Sequence, residues 1–137
     1  MIFSHSCQYA IKSCIYLAKK KGEKTDVVEI AAYIHSPAHF TSKILQKLAK
    51  GNIISSAKGR NGGFYLNKEQ QESLTIKDVY EAFDDEKQLF GCILGLSECN
   101  EENPCPVHHF GVEIKEKLRY ILTLKIKELK DVGNIEY

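Results

Sequence analysis

The helical periodicity of the first fifty residues stops at Gly51–Asn52, and the next stretch is built to turn back on itself. Residues 53–67 read IISSAKGRNGGFYLN, two short strand-like runs around a tip that holds Gly59, Gly62 and Gly63 with the cations Lys58 and Arg60. This pattern predicts a hairpin with a long loop. Glycine permits positive φ and close approach of the backbone, so the tip is free to lie against another surface. Phe64 and Leu66 are placed to pin the returning strand to a core.

Three helices are expected before it. Cys7, Ala10, Ile11, Cys14, Ile15, Leu17 and Ala18 recur at helical spacing over residues 4–20. Asp26 with Glu29 forms a capping-box signal for a second helix through VVEIAAYI. Ser36 as cap and Pro37 as first residue open a third. Ile44, Leu45 and Leu48 form its inner face, which leaves His39, Thr41, Ser42, Lys43, Gln46 and Lys47 around the rest of the cylinder. Thr75 with Asp78 caps another helix through Phe83, and a long amphipathic helix is expected over residues 108–131. The fold class is mainly α with a small β-hairpin, ordered as a winged helix-turn-helix followed by a long C-terminal helix. The expected divisions are 1–84 for the winged domain, 85–107 for a cysteine-containing loop and 108–137 for the last helix and tail.

Charge is distributed to match. From Ala31 to Lys68 there are six lysines and arginines and no acid, whereas Glu69 to Glu86 carries seven acids and one lysine. A surface that meets a polyanion needs such a carboxylate-free stretch. Short polar and basic side chains on a third helix suit base edges in a major groove. Lys58, Arg60, Asn61, Gly62 and Gly63 at the hairpin tip suit phosphates or a minor groove. Double-stranded DNA is the expected partner.

Cys92, Cys99 and Cys105 form a C-x6-C-x5-C array ahead of Pro106, Val107 and His108. The N-terminus MIFSHSCQYAIK lacks a secretory signal, and no apolar run approaches the ~20 residues of a membrane span. A cytoplasmic location is expected, where clustered thiols point to metal or redox chemistry instead of disulfides. Cys14 reads as a packed thiol. The array lacks the tight C-x2–4-C pairs of structural zinc sites, and wider spacing suits an iron–sulfur cluster. Zinc, a metal-free thiol switch and no function stay open. Hydrolytic chemistry is not expected, since the chain has neither a phosphate-cradling loop with its lysine nor a defensible Ser/His/Asp set. A small electron-transfer protein with a basic docking face is the rival from another class.

Taken together, YAIKSCIYLA, FTSKILQKLAKGNIISSAKGRNGGFYL, TIKDVYEAFD and the three-cysteine loop before a long helix resemble the Rrf2 family of bacterial winged-helix regulators. The resemblance implies a homodimeric transcriptional regulator, a repressor in the expected mode, that senses redox state, nitric oxide or iron–sulfur status. It implies a cluster, [2Fe–2S] or related, on Cys92, Cys99 and Cys105. In one branch of the family a histidine three positions past the last cysteine completes the set, and His108 stands there. In another branch an acid from the partner's first helix does so, and Gln8 occupies the matching region here. The last helix of such proteins is the dimer interface, which implicates Ile114, Leu118, Ile121, Leu122 and Leu129. Some members carry no cluster, and a metal-free thiol- or ligand-sensing regulator of the same fold is the alternative.

Overall fold

A computed structural model describes residues 2–133; the last positions of the expected 108–137 segment lie outside the described residues. Helix α1 (His5–Lys19) begins where the Ser4 hydroxyl accepts the Cys7 N–H at 3.2 Å. Helix α2 (Val27–Ile34) begins where Asp26 accepts the Glu29 N–H at 2.8 Å. Only half of the anticipated capping box forms, because the Glu29 carboxylate turns to the Tyr16 hydroxyl at 2.6 Å and to Lys20 at 2.8 Å. His35, with φ 55°, ends α2 in the left-handed region and lets α3 (Ala38–Lys50) start almost at once. Pro37, not Ser36, occupies the cap of α3, and the buried Ser36 hydroxyl has no partner.

Strands β1 (Ser55–Ala57) and β2 (Gly63–Tyr65) pair antiparallel, with Ser56 opposite Phe64. Thr25 adds a single-residue bridge to β2 that the sequence did not signal: it exchanges both backbone hydrogen bonds with Phe64 at 2.9 Å. Gly63 is needed at this crossing, since a Cβ there would stand 2.8 Å from the Thr25 carbonyl oxygen.

A short helix, α4 (Lys68–Ser73), was also not anticipated. Asn67 and Gln70 cap it reciprocally, and Gln70 reaches back to Ser55 and to the Asn52 carbonyl, fastening the base of the hairpin. Helix α5 (Ile76–Phe83) carries the expected Thr75–Asp78 capping box. After α6 (Glu86–Phe90) and the cysteine loop comes α7 (His108–Thr123).

The long C-terminal helix begins at His108 as expected but ends at Thr123 instead of running on to 131. The chain becomes extended at Leu124 and Lys125, and α8 (Ile126–Leu129) is a separate turn. Ile76 and Ile126 donate their N–H groups to the Leu124 and Leu74 carbonyls at 3.0 and 2.8 Å. An unbroken helix advances ~1.5 Å per residue and would carry Ile126 past the core; the break turns it back, leaving it 1% exposed. One core results, built from Cys14 and Leu17 of α1, Ile30 and Ile34 of α2, Leu45 and Leu48 of α3, Leu66, Val79 and Tyr80, and closed by Leu122 and Ile126. The C-terminal segment therefore shares the core of the winged domain.

Candidate functional site

Helix α3 presents its sides unequally. Ile44, Leu45 and Leu48 are buried, while His39, Lys43, Gln46 and Lys47 are exposed and Ser42 is half-exposed, its hydroxyl accepting from the Gln46 amide at 2.9 Å. Thr41 is a correction to the anticipated DNA-facing set. It is fully buried and its hydroxyl donates to the Pro37 carbonyl at 3.0 Å, so it secures the first turn of α3 and reaches no ligand. Lys47 lies over the Phe83 ring at 4.7 Å, a cation–π contact that leaves the ammonium exposed.

At the hairpin tip Lys58, Gly59, Arg60 and Asn61 are exposed. Gly62 and Gly63 are half-buried, and a Cβ on Gly62 would stand 2.2 Å from the Ala57 carbonyl oxygen; these two glycines shape the turn. Among the described residues, none of Lys43, Lys47, Lys50, Lys58 and Arg60 has a carboxylate partner, because the ion pairs lie on Lys20, Lys77 and Lys127. Their charge is left for an external anion.

The cysteine loop converges on the first turn of α7. The Sγ atoms of Cys92, Cys99 and Cys105 all lie within 4.8 Å of one another, with Cys92 and Cys105 3.6 Å apart. Local bonds build this cradle. Gly95, with φ 76°, donates to the Cys92 carbonyl at 2.8 Å, and the Asn100 side chain accepts the Glu102 and Asn103 N–H groups, both at 2.8 Å. The Cys105 N–H donates to Cys99 Sγ at 3.4 Å. Backbone N–H groups, that of Leu96 foremost, bring the Cys92 thiol down to about 7, whereas desolvation leads the rise at Cys105.

His108 stands beside the trio and outside the mutually close set: its Nδ1 is 3.3 Å from Cys99 Sγ. Its Nε2 is buried without a partner. A buried imidazole nitrogen left bare carries a desolvation cost that a ligand or ring rotation would relieve. Three soft thiols, an N–H donor on sulfur and an unsatisfied imidazole fit a metal ion or cluster. Glu98, Glu101 and Glu102 are exposed. Cys7 and Cys14 play no part; burial, the largest cause for each, pushes both thiols up to about 12, with Asp84 adding to the effect at Cys7.

The anticipated interface residues divide between two faces of α7. Ile114 and Ile121 are 57% and 37% exposed. Leu122 is buried in the chain's own core, Leu118 is 9% exposed, and Leu129 packs against the core from α8. Leu118 and Leu122 thus face inward within the chain, and Leu129 is half-buried. Phe110, 77% exposed, and Tyr120, 68% exposed, lie with Ile114 and Ile121 on the outer side. Part of the signal for it was present, since Phe110, Ile114 and Ile121 fall at i, i+4 and i+11 on one side of the helix, with Tyr120 beside them.

The family model for Rrf2, an iron-dependent transcriptional regulator, matches residues 3–132. A protein of Aquifex aeolicus (strain VF5) is 37% identical over 138 residues, spanning 99% of this chain and 94% of its own length. The HTH-type transcriptional regulator NsrR of Geobacillus kaustophilus (strain HTA426) is 32% identical over 89% of this chain and 82% of that protein. Among solved structures, CymR of B. subtilis, the global cysteine regulator, superposes with a TM-score of 0.73 at 21% identity, covering 96% of this chain and 98% of that one. T. potens IscR gives 0.69 at 16% identity, over 95% and 87%. At these identities the structures establish the fold.

Proposed function

The chain belongs to the Rrf2 family of transcriptional regulators, and from that membership we propose that it is a homodimeric, operator-binding repressor governed by a metal centre on Cys92, Cys99 and Cys105. Family membership carries transcriptional regulation and excludes an enzymatic role. No helix among the described residues is long and apolar enough to cross a membrane, in keeping with a cytoplasmic site of action.

The observation that carries the proposal is the convergence of three thiols and His108 at the first turn of α7, the helix whose far end is fastened to the α4–α5 connection. An iron–sulfur cluster there would supply a group sensitive to redox state and nitric oxide. His39, Ser42, Lys43, Gln46 and Lys47 read the major groove, Lys58, Arg60 and Asn61 track phosphates or the minor groove, and two copies join through Phe110, Ile114, Tyr120 and Ile121. A ligand shifts such a balance only by its differential affinity for two states, typically about 1–3 kcal/mol.

A second reading has its own observation. Sulfur atoms all within 4.8 Å of one another approach the ~3.8 Å edge of a tetrahedron with ~2.3 Å metal–sulfur bonds. That spacing favours a single ion, zinc or iron, held by the thiols and His108.

Anaerobic purification, metal and sulfide analysis, and titration of genomic fragments with loaded and stripped protein test these readings together. Bound iron with equimolar sulfide and metal-dependent operator affinity are expected. Stoichiometric zinc without sulfide would select the single ion. A thiol-only protein whose operator affinity ignores metal would leave the metal-free regulator, and absence of any preferred duplex would overturn the DNA-binding role.

A further inference from the structure

One side of α7 carries His108, Gly111, Lys115 and Arg119 at i, i+3, i+7 and i+11, a single stripe along the helix. The segment leading into the cysteine loop lies along this stripe in the opposite direction. Arg119 stands over the Phe90 ring at 4.7 Å, Ile93 sits against Gly111, and Cys99 meets His108 at 3.3 Å. The hydrogen bonds that shape the loop are internal to residues 92–108. These lateral contacts join the loop to the helix.

Gly111 is the buried member of the stripe. A Cβ added there would stand 2.6 Å from Ile93 Cδ1 and 3.3 Å from Cγ1. Carbon atoms do not approach to the first of these distances, so Ile93, a residue 57% exposed, would have to turn its terminal methyl out of the space above Gly111. A glycine inside a helix is unfavourable relative to alanine, and its presence at this position calls for a reason. Nothing in the helix backbone demands it, since Gly111 has an ordinary negative φ. The contact that needs it is the one with the residue next to Cys92.

We propose that Gly111 is a positioning residue: a notch in α7 that receives Ile93 and thereby sets the register of Cys92 against Cys105 and His108. The inference rests on the reading of the three cysteines as a metal centre, and it adds the residue that fixes their spacing. Supporting groups one layer out from metal ligands typically change metal affinity by ~10–100-fold when altered, and a filled notch acts at that level.

The test is an exchange of one methyl group between the two partners. Gly111→Ala places a carbon where Ile93 Cδ1 lies, Ile93→Val removes that carbon, and the double variant does both. Two readouts serve. In metal-free reduced protein, diamide takes up the two thiol hydrogens as a Cys92–Cys105 disulfide forms, and peptide mapping measures its rate. In a separate arm, Co(II) titration follows the thiolate charge-transfer band and its retention against a chelator. Gly111→Ala is expected to slow the cross-link and to weaken Co(II) retention about tenfold, with thermal stability unchanged or raised by the better helix former. Ile93→Val should have a smaller effect, and the double variant should recover most of the loss.

Equal rates in wild type and Gly111→Ala, or losses that simply add in the double variant, would overturn the notch. A drop in thermal stability parallel to the loss of cross-linking would also overturn it, by making Gly111 a general fold residue. If wild type takes up no Co(II), the metal reading falls while the cross-linking arm still decides the notch.

Discussion

Ile76 donates its backbone N–H to the Leu124 carbonyl at 3.0 Å, fastening the end of α7 to the first turn of α5. The reciprocal bond from Ile126 to Leu74 completes a two-residue bridge centred on Thr75 and Lys125. Glu72 and Lys127 pair beside it at 2.8 Å, although both are exposed and contribute little. α7 is thereby joined to the connection between α4 and α5, just past the hairpin. Coupling requires a two-state element as well as a physical connection, and under the proposed regulation this bridge would be that connection.

Leu122 and Ile126 hold that bridge in the core at 4% and 1% exposure. Leu122→Ala or Ile126→Ala should lower the stability of the whole domain by about 2–5 kcal/mol, through lost burial and the cavity left behind. Chemical denaturation measures this. A loss below about 0.5 kcal/mol, the range of surface changes, would place these residues outside the core.

The opposite face of the same helix should respond in the opposite way. Phe110 and Ile114 are exposed, so Phe110→Glu with Ile114→Lys should leave folding stability within about 0.5 kcal/mol and convert a dimer to monomers by light scattering. A double variant that remains dimeric would move the interface elsewhere.

This division shows where sequence reading succeeded and where it ran out. Leu118, Leu122, Ile126 and Leu129 fall at helical spacing whether or not the helix is continuous, so periodicity could not detect the break at Leu124 that folds Ile126 inward. Periodicity also gave an apolar stripe without saying whether it was covered by the chain itself, and Leu118 and Leu122 are buried within the chain. The winged fold was legible because Gly51–Asn52, the glycine tip and the Thr75–Asp78 box are local signals. The cysteine trio was legible from residue type and spacing. Gly111 was not, because its contact with Ile93 joins residues 18 positions apart that no local pattern links.

Thr41 and Lys43 separate folding from recognition. The Thr41 hydroxyl is buried against Pro37, so Thr41→Ala should cost about 1 kcal/mol of stability and leave the operator affinity of folded protein unchanged. Lys43→Ala should do the reverse, weakening binding with little effect on unfolding. Fluorescence anisotropy on a labelled operator and thermal melts decide; weakened binding by correctly folded Thr41→Ala would return Thr41 to the DNA face.

Replacing Cys92, Cys99 and Cys105 together by Ser should abolish the visible absorption of anaerobically prepared protein. The fold should persist, because all three residues lie outside the main core. Replacing Cys14, fully buried in that core, by Ser should destabilise the protein and leave the absorption per folded chain unchanged. Loss of colour in folded Cys14→Ser would draw the N-terminal thiols into the centre.

The hairpin tip offers the sharpest test of nucleic-acid binding, because Lys58 and Arg60 are exposed and have no carboxylate partner among the described residues. A cation that neutralises a phosphate releases condensed counterions, so each contact contributes about 0.9 to the slope of log affinity against log salt. Lys58→Ala and Arg60→Ala should each weaken binding and flatten that slope by about one unit per subunit if the cation meets a phosphate. A base-reading contact behaves differently: affinity falls and sequence preference relaxes, with a smaller change in slope. Measuring both variants over a salt series on operator and random duplex therefore tells which residue grips the backbone and which enters a groove. Unchanged affinity and slope in both variants would take the hairpin out of the interface and leave α3 alone to account for binding.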